Sequence, residues 1–162
     1  MKTLFLVRHA KSDRKDDPTL ADRDRPLSDR GLKEAPKMGK RLARHDAKPE
    51  LLISSPALRA LTTAQLIADE IGRQRGDIVI EEKLYESSVN GLLGVIHALD
   101  HRLDRVMLFG HNPEFSDLAR RLSGDIAEMP TCAVAEFRFD TRTWSDVGKI
   151  APVTSTLDHP GQ

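Results

Sequence analysis

The stretch that decides the fold runs from residue 3 to residue 12 and reads Thr3-Leu4-Phe5-Leu6-Val7-Arg8-His9-Ala10-Lys11-Ser12. Its first residues are β-forming and mostly apolar, and the run is too short for a helix, so it predicts a buried strand. Polar and cationic side chains follow at once, which places Arg8 and His9 at the carboxyl end of that strand. In open α/β sheets, ligands bind at the carboxyl ends of the strands.

A second segment repeats this arrangement later in the chain. Residues 105–110 read Arg-Val-Met-Leu-Phe-Gly and predict another buried strand, and His111-Asn112-Pro113 follows directly. Two strand ends that each carry a histidine, one of them with an arginine, indicate a phosphate site with a histidine nucleophile.

The remaining patterns alternate between helix and strand. Ser28 is the predicted N-cap of a helix that runs to about Arg44. Its predicted buried stripe is Leu32, Ala35, Met38, Leu42 and Ala43. The other predicted elements are strands over 50–54, 77–80 and 133–139, helices over 55–72, 92–99 and 113–123, and a further strand near 149–153. This order predicts a three-layer α/β/α sandwich with a mostly parallel central sheet.

The helix predicted after residue 54 supplies a third phosphate-binding group. Ser55 is its predicted cap and Pro56 its first residue, which puts Arg59 in the first turn. The amino end of a helix favours anions, so an arginine there is unfavourably placed unless it has an anionic partner. Arg59 and Arg8 could together hold a phosphoryl group by charge-assisted hydrogen bonds.

Composition restricts the class of protein. A chain of 162 residues is expected to form one domain over residues 1–162, and with 4% aromatic residues its core should be aliphatic. The net charge is zero and there is no basic tail, which argues against nucleic acid as a partner. Cys132 has no cysteine to pair with, and no apolar run reaches membrane-spanning length, so we expect a cytoplasmic protein without a membrane partner. The sequence does not predict an oligomeric state.

These motifs together resemble the histidine phosphatase superfamily, and within it the small SixA-like phosphohistidine phosphatases with a phosphoglycerate mutase-like fold. The resemblance covers residues 1 to about 145 and leaves 146–162 without an assignment. Its motifs are Arg8 to Ser12, Asp24 to Ser28, Ser54 to Ala60 with Thr63-Ala64, Leu84-Tyr85-Glu86, Gly110 to Pro113, and Pro130-Thr131.

The resemblance implies that His9 attacks phosphorus and becomes transiently phosphorylated, while Arg8, Arg59 and His111 surround the phosphoryl group. It also implies that neither a metal nor another cofactor is needed. Neighbouring arginines disfavour the charged imidazolium form, so we expect them to help keep His9 neutral.

The proton donor to the leaving group is less well defined. The resemblance favours Glu86, in the loop after the third predicted strand. A solvated carboxylate without a catalytic role is the alternative. If the substrate is phosphohistidine, protonation of its own imidazole reduces the need for an enzymatic acid.

Four further residues are expected to line the substrate site: Lys11, Ser12, Asn112 and Thr131. Ordinary loop and capping roles are the alternative for the first three. Arg25 is expected to brace the loop between residues 11 and 25 instead of contacting substrate.

The short segment between Arg59 and His111 bears on the substrate. Residues 60–110 already contain a strand, a loop and a helix, so no sizeable cap insertion is expected. An open site suits phosphohistidine displayed on a protein. The alternatives are a phosphatase of small phosphomonoesters on the same fold, and a non-catalytic phosphate-binding module. The pair of His9 and His111 argues against the module, because binding alone needs no nucleophile.

Overall fold

The computed structural model describes residues 1–13 and 17–161; Arg14, Lys15 and Asp16 of the loop predicted over 11–25, and Gln162, lie outside the described residues. The strands are β1 (Lys2–Arg8), β2 (Leu51–Ser54), β3 (Val79–Ile80), β4 (Arg105–Gly110), β5 (Val134–Phe139) and β6 (Thr154–Asp158). The longer helices are α1 (Asp29–Arg44), α2 (Leu58–Ile71), α3 (Val89–His97) and α4 (Glu114–Leu122). Within the described part of the chain, no helix combines the length and the apolar character needed to cross a bilayer.

The six strands form one sheet in the order β3-β2-β4-β1-β5-β6. The strand pairs β3–β2, β2–β4 and β4–β1 are parallel. β5 pairs antiparallel to β1, and β6 pairs antiparallel to β5. β4 lies between β1 and β2, with Arg8 paired to Gly110 and Ser54 paired to Phe109. The predicted mostly parallel α/β sheet is confirmed.

The sheet separates two hydrophobic cores. Alternate residues of a strand face opposite sides of a sheet, and β1 follows this rule. Leu4 and Leu6 pack into the core formed with α3 and α4, while Phe5 and Val7 pack into the core formed with α1 and α2. Helices therefore cover both faces, as the predicted three-layer sandwich requires.

The first helix begins as predicted, but the residues on its buried face differ from the predicted ones. The Ser28 side chain accepts a hydrogen bond from Gly31 N, as an N-cap does. Gly31 lies so close to the loop that a Cβ there would be 2.2 Å from the Lys11 carbonyl oxygen. This contact turns the Gly31 side of the helix inward, so the prediction that Leu32 and Ala43 are buried is wrong.

The predicted start of the second helix is also wrong. α2 begins at Leu58 with Ala57 at the N-cap position, and Ser55 is not its cap. The Ser55 side chain instead accepts from Ala57 N at 3.2 Å, which forms a separate tight turn before the helix. The end of the helix is close to the prediction, since Gly72 terminates it in the left-handed conformation.

Two other boundaries differ from the prediction. α3 begins at Val89, capped by Ser88, within the segment predicted as a loop; two glycines in the helix obscure its periodic pattern. The last strand is Thr154–Asp158, after the predicted 149–153. Pro152 lacks the N–H that a paired strand needs, and pairing with β5 begins only where Val153 N donates to Arg138 O.

The segment between Arg59 and His111 carries no added domain. After α2, the chain forms short 3-10 turns and β3, then α3, and returns directly into β4. The carboxyl ends of the strands, where both histidines lie, are therefore not covered by an inserted cap from this segment, as the sequence predicted.

Candidate active site

Three neighbouring strands deliver the principal side chains to one edge of the sheet. β2, β4 and β1 lie side by side, and Ser55, His111 and His9 directly follow them. Two backbone hydrogen bonds continue the pairing beyond the strands, from Ser55 N to Phe109 O and from His9 N to Gly110 O, each 3.0 Å. As a result, the rings of His9 and His111 lie with their centroids 5.2 Å apart.

The orientation of His9 leaves one ring nitrogen available. His9 is buried, and its Nδ1 lies 2.7 Å from the Ala10 carbonyl oxygen. A carbonyl can only accept, so we assign the proton to Nδ1, which leaves the Nε2 lone pair free. The segment is held from both sides, because Cys132 N donates to His9 O and Ala10 N donates to Thr63 Oγ1, each at 3.0 Å.

His9 is neutral at pH 7. Burial lowers the pKa of His9 to about 4, opposed by the Ala10 carbonyl and assisted by the positive charges of Arg59, Arg8 and Arg25. The arginines thus act in the predicted direction, but burial is the larger cause. A neutral imidazole is the form that can attack an electrophile.

His111 presents a donor to the same space. Its Nε2 lies 2.8 Å from Ser55 Oγ, and that oxygen already accepts from Ala57 N. The hydroxyl proton of Ser55 has no other acceptor among the described residues, so we assign it to this bond and the His111 proton to Nδ1. Nδ1 is buried and has no hydrogen-bond partner among the described residues. Burial, followed by the charges of His9 and Arg59, lowers the pKa of His111 to about 3.

Arg8 and Arg59 supply positive charge to the site. Arg8 ends β1, and its Nη1 donates to Met129 O at 3.0 Å. The Asn112 side chain donates to the same carbonyl at 2.9 Å. Arg59 lies in the first turn of α2 and is only 7% exposed. Its Nε is buried without a hydrogen-bond partner within residues 1–13 and 17–161.

An acidic residue that the sequence analysis missed holds the outer end of Arg59. Asp22 accepts from Arg59 Nη1 through its carbonyl oxygen at 2.8 Å and from Nη2 through Oδ2 at 3.1 Å. Tyr85 OH donates to the same carboxylate oxygen, and Arg25 Nε lies 3.2 Å from Oδ1. Arg25 thus forms an ion pair within its own loop, although its Nε makes no hydrogen bond among the described residues. The available signal in the sequence was a charged loop that starts at the candidate site. The sequence does not show which acidic residue of that loop contacts Arg59.

The structure places Glu86, the expected proton donor, on the surface beside Tyr85. Glu86 is exposed and adopts a left-handed backbone conformation with φ of 51°. Such a conformation is uncommon for residues other than glycine. Its charge is one of the smaller causes that raise the pKa of Tyr85, after the hydrogen bond to Asp22 and burial.

The remaining expected site residues differ in how they are used. The Lys11 side chain is exposed, and its carbonyl accepts from Ser28. Ser12 is buried and forms a β-bridge with Leu27. Thr131 is half-buried, beside Cys132.

Asn112 has a clear structural use. Its Oδ1 accepts from Ser116 N and from Ser116 Oγ, and its Nδ2 donates to Met129 O. α4 itself begins at Glu114 with Pro113 at its N-cap position, so Asn112 lies one residue before that position. Asn112 nevertheless satisfies a first-turn N–H, and it shares the Met129 carbonyl with Arg8.

No group of three or more His, Cys, Asp or Glu side chains is arranged to hold a metal ion within the described ranges. The candidate site brings two neutral imidazoles together with two arginines. Buried polar atoms without partners are uncommon in folded proteins. Arg59 Nε and His111 Nδ1 are both donors, so together they are suited to an anion.

Comparison with known proteins identifies the family. A family model described as histidine phosphatase superfamily (branch 1) matches residues 4–129. The chain belongs to this superfamily. The match includes Arg8, His9, Arg59 and His111, and it ends before β5 and β6.

Three curated relatives share between 28% and 33% sequence identity with this chain. An uncharacterised chloroplast protein of Arabidopsis thaliana is 28% identical over 153 residues, which cover 90% of this chain and 70% of that protein. An uncharacterised protein of Mycobacterium tuberculosis is 30% identical over 153 residues, covering 87% and 91% of the two chains. A 2,3-bisphosphoglycerate-dependent phosphoglycerate mutase of Rhizobium meliloti is 33% identical, but the match covers only 57% of this chain and 44% of the mutase.

Solved structures show the same architecture over nearly the whole chain. A protein of Agrobacterium tumefaciens described as a candidate phosphohistidine phosphatase SixA has 26% identity and a TM-score of 0.79, covering 96% of this chain and 97% of that one. A protein histidine phosphatase SixA solved with tungstate has 22% identity and the same TM-score, covering 98% and 97%. The fold is therefore that of the SixA-like structures.

Proposed function

We propose that the chain is a metal-independent phosphatase that removes phosphate from phosphohistidine on a protein, with His9 as the nucleophile. The observation that carries this proposal is the state of His9. It is neutral, its Nδ1 lies against the Ala10 carbonyl, which leaves Nε2 unprotonated, and its ring lies 5.2 Å from that of His111. A residue with only a structural role does not need this combination.

In the first step, the Nε2 lone pair of His9 attacks the phosphorus atom. The bond from phosphorus to the substrate nitrogen breaks, and its electron pair leaves with the substrate imidazole. Arg8, Arg59 Nε and His111 Nδ1 donate to the phosphoryl oxygens, where charge is spread in the transition state. Because these donors are already fixed by Met129, Asp22 and Ser55, little reorganisation is required.

In the second step, water attacks the phosphorus of phosphorylated His9. The phosphorus–nitrogen bond breaks, its electron pair returns to Nε2, and both protons of the water leave with the phosphate product. His9 regains its starting state because Nδ1 stays protonated against the Ala10 carbonyl throughout.

The leaving group takes up a proton in the first step. For phosphohistidine, the departing imidazole is itself basic and can be protonated before or during departure. Glu86 remains our proposed enzymatic donor for poorer leaving groups, since it is exposed beside Tyr85, which packs against His111. On this proposal Glu86→Gln slows hydrolysis of alkyl phosphates more than that of phosphohistidine.

The proposed substrate class rests on two observations. Residues 60–110 add no cap over the site, so a phosphate on a protein surface can reach it. The solved chains with TM-scores near 0.8 include proteins described as phosphohistidine phosphatases. Tungstate, present in one of them, is a tetrahedral oxyanion like phosphate. Lys11, Ser12, Asn112 and Thr131 are proposed to border the bound group.

The test compares phosphate release from a phosphohistidine-bearing protein, an aryl phosphate and phosphoglycerate. We expect wild type to prefer phosphohistidine, and we expect His9→Ala to lose at least about 1,000-fold with every substrate. His45→Ala is the matched control, because His45 is exposed at the end of α1. Acid quenching during turnover should trap a phosphoryl group on His9.

Three results would contradict parts of the proposal. Faster turnover of phosphoglycerate than of phosphohistidine would favour a small-molecule phosphatase. Phosphate binding without any hydrolysis would favour a non-catalytic module. Full activity of His9→Ala would exclude His9 as the nucleophile.

A further inference from the structure

The carboxylate of Asp22 is a point where three separate parts of the chain meet. Asp22 opens a 3-10 turn, Asp22–Asp24, and its side chain is 55% exposed. It contacts Arg59 from α2, Tyr85 from the segment after β3, and Arg25 from its own loop. The proposed chemistry does not require a carboxylate here, and a negative charge beside an anion site needs a reason.

The contacts of Asp22 fix the orientation of the Arg59 guanidinium. The guanidinium is a rigid planar group with five N–H donors. Asp22 binds its far end, with the carbonyl oxygen on Nη1 and Oδ2 on Nη2. The Nε–H remains buried and without a partner in the described structure. Because the group is planar, fixing both Nη atoms fixes the direction of the Nε edge.

Asp22 also fixes the residue that packs on His111. The Tyr85 ring meets the His111 ring edge-on with centroids 5.5 Å apart, and its hydroxyl donates to Asp22 Oδ2 at 2.5 Å. The Arg23 guanidinium lies over the same tyrosine ring at 5.4 Å. The Asp22 carboxylate thus binds both Arg59 and the tyrosine that packs against His111.

Two opposite effects on phosphate binding follow from this geometry. The Tyr85 hydroxyl, with help from Arg59 and Arg25, lowers the pKa of Asp22, so the carboxylate is ionised and repels a phosphate. That repulsion is weakened by solvent, because more than half of the side chain is exposed. Arg59, by contrast, is a buried cation, and the hydrogen bonds that it donates are strong and depend on its orientation. The orienting effect should therefore be the larger one.

We infer that Asp22 is a positioning residue that aims the Nε edge of Arg59, and the ring of Tyr85, at the phosphoryl group. Asp22 acts through these two side chains and does not contact the reacting atoms. This inference rests on the proposed phosphate site, and it adds a residue outside the motifs that carry the family resemblance.

Calorimetric titration with inorganic phosphate and with tungstate tests the inference directly. We expect Asp22→Ala to weaken binding about 10-fold, the loss of one well-placed charge-assisted interaction. Asp22→Asn should fall between Asp22→Ala and wild type, because its amide oxygen can accept the same hydrogen bonds. Asp24→Ala is the matched control, an exposed acid in the same turn, and should change binding less than about 2-fold. Equal or tighter binding by Asp22→Ala would overturn the inference, since only the repulsive effect would then be present.

A background that removes the contacts of Asp22 with Arg59 and Tyr85 separates positioning from a general structural effect. If Asp22 acts through Arg59 and Tyr85, then Asp22→Ala should change the remaining phosphate affinity less than about 2-fold once Arg59→Ala and Tyr85→Phe are both present. A further 10-fold loss in that background would overturn the inference. Circular dichroism and thermal unfolding of each variant establish that the compared proteins are folded.

These results are independent of whether the substrate assignment is correct. Asp22-dependent phosphate binding without phosphohistidine hydrolysis would contradict the proposed function and leave the inference standing. Hydrolysis and oxyanion binding that are unchanged in Asp22→Ala would contradict only the inference. Failure of wild type to bind either oxyanion would overturn both.

Discussion

Positive charge is buried near both ends of β1, but the hydrogen bonding of the buried donors differs between the two ends. At the amino end, Lys2 is 1% exposed, and its Nζ donates to the carbonyl oxygens of His101 and Leu103 and to Asp104 Oδ1. The ring of Trp144 lies 5.6 Å away. At the carboxyl end, Arg59 Nε and His111 Nδ1 are buried without partners among the described residues.

The difference separates a structural use of polar groups from a binding use. A buried cation with all its donors satisfied has no capacity for a ligand, and removing it leaves carbonyls unpaired. Buried donors without acceptors carry a desolvation penalty that a bound anion can remove. The comparison therefore predicts that substitutions at the amino end change stability, and that substitutions at the carboxyl end change activity.

The largest expected effect is on activity at the carboxyl end. Arg59→Ala should lower kcat/KM by roughly 100- to 1,000-fold, the usual loss for one transition-state donor. Steady-state hydrolysis of phosphohistidine measures it. Arg73→Ala is the control, since Arg73 follows the same helix but binds Glu50 O. Comparable losses in the two variants would show that the effect comes from the helix and not from the site.

A pH-dependent loss of stability should follow from the two buried histidines. Both pKa values lie below the ordinary 6.5, at about 4 for His9 and about 3 for His111. The unfolded chain therefore binds more protons, so the stabilisation is complete above pH 6.5 and is lost as the pH falls toward these values. Urea unfolding should give about 3 kcal/mol less stability at pH 5.3 than at pH 7, about half of it from each histidine.

A variant without these titrating groups provides the control. His9→Asn combined with His111→Asn should show a flatter dependence of stability on pH over the same range. Equal losses in wild type and in this double variant would assign the pH dependence to other groups.

At the amino end, Lys2→Met should reduce the free energy of unfolding by about 2 kcal/mol, because it leaves the carbonyl of His101 unpaired. The activity of the folded protein should be unchanged. Lys37→Met is the control, because Lys37 is exposed and its Nζ donates to Pro160 O, so its effect should be small. A loss of kcat in folded Lys2→Met would remove the functional distinction between the two ends.

The smallest expected effect is at a pair of adjacent serines, both fully buried. Ser55 holds His111 Nε2, whereas Ser54 Oγ donates to Ser55 O. We expect each alanine variant to lose about 1 kcal/mol of stability. Only Ser55→Ala should also lower kcat, by roughly 10-fold, because the protonated nitrogen of His111 is then no longer fixed. Equal kcat values would show that Ser55 has a structural role alone.

The sequence predicted the parts of the fold that rest on local pattern. Short apolar runs gave β1 and β4, and polar residues after them marked where the strands end. Element starts were less predictable. Ser55 has the pattern of a helix cap, but its oxygen serves a tight turn and His111, which lies 56 residues away.

By itself, the sequence determined the α/β class, the sheet, the positions of His9 and His111 at strand ends, and the family, because strand periodicity and the residues that follow each strand are local properties of the chain. Only the tertiary structure decided which nitrogen of His9 lies against a carbonyl, and that Asp22 contacts both Arg59 and Tyr85. These depend on contacts such as the one between Asp22 and Tyr85, 63 residues apart. Such contacts arise from the packing of loops on a completed sheet, and no local pattern records them.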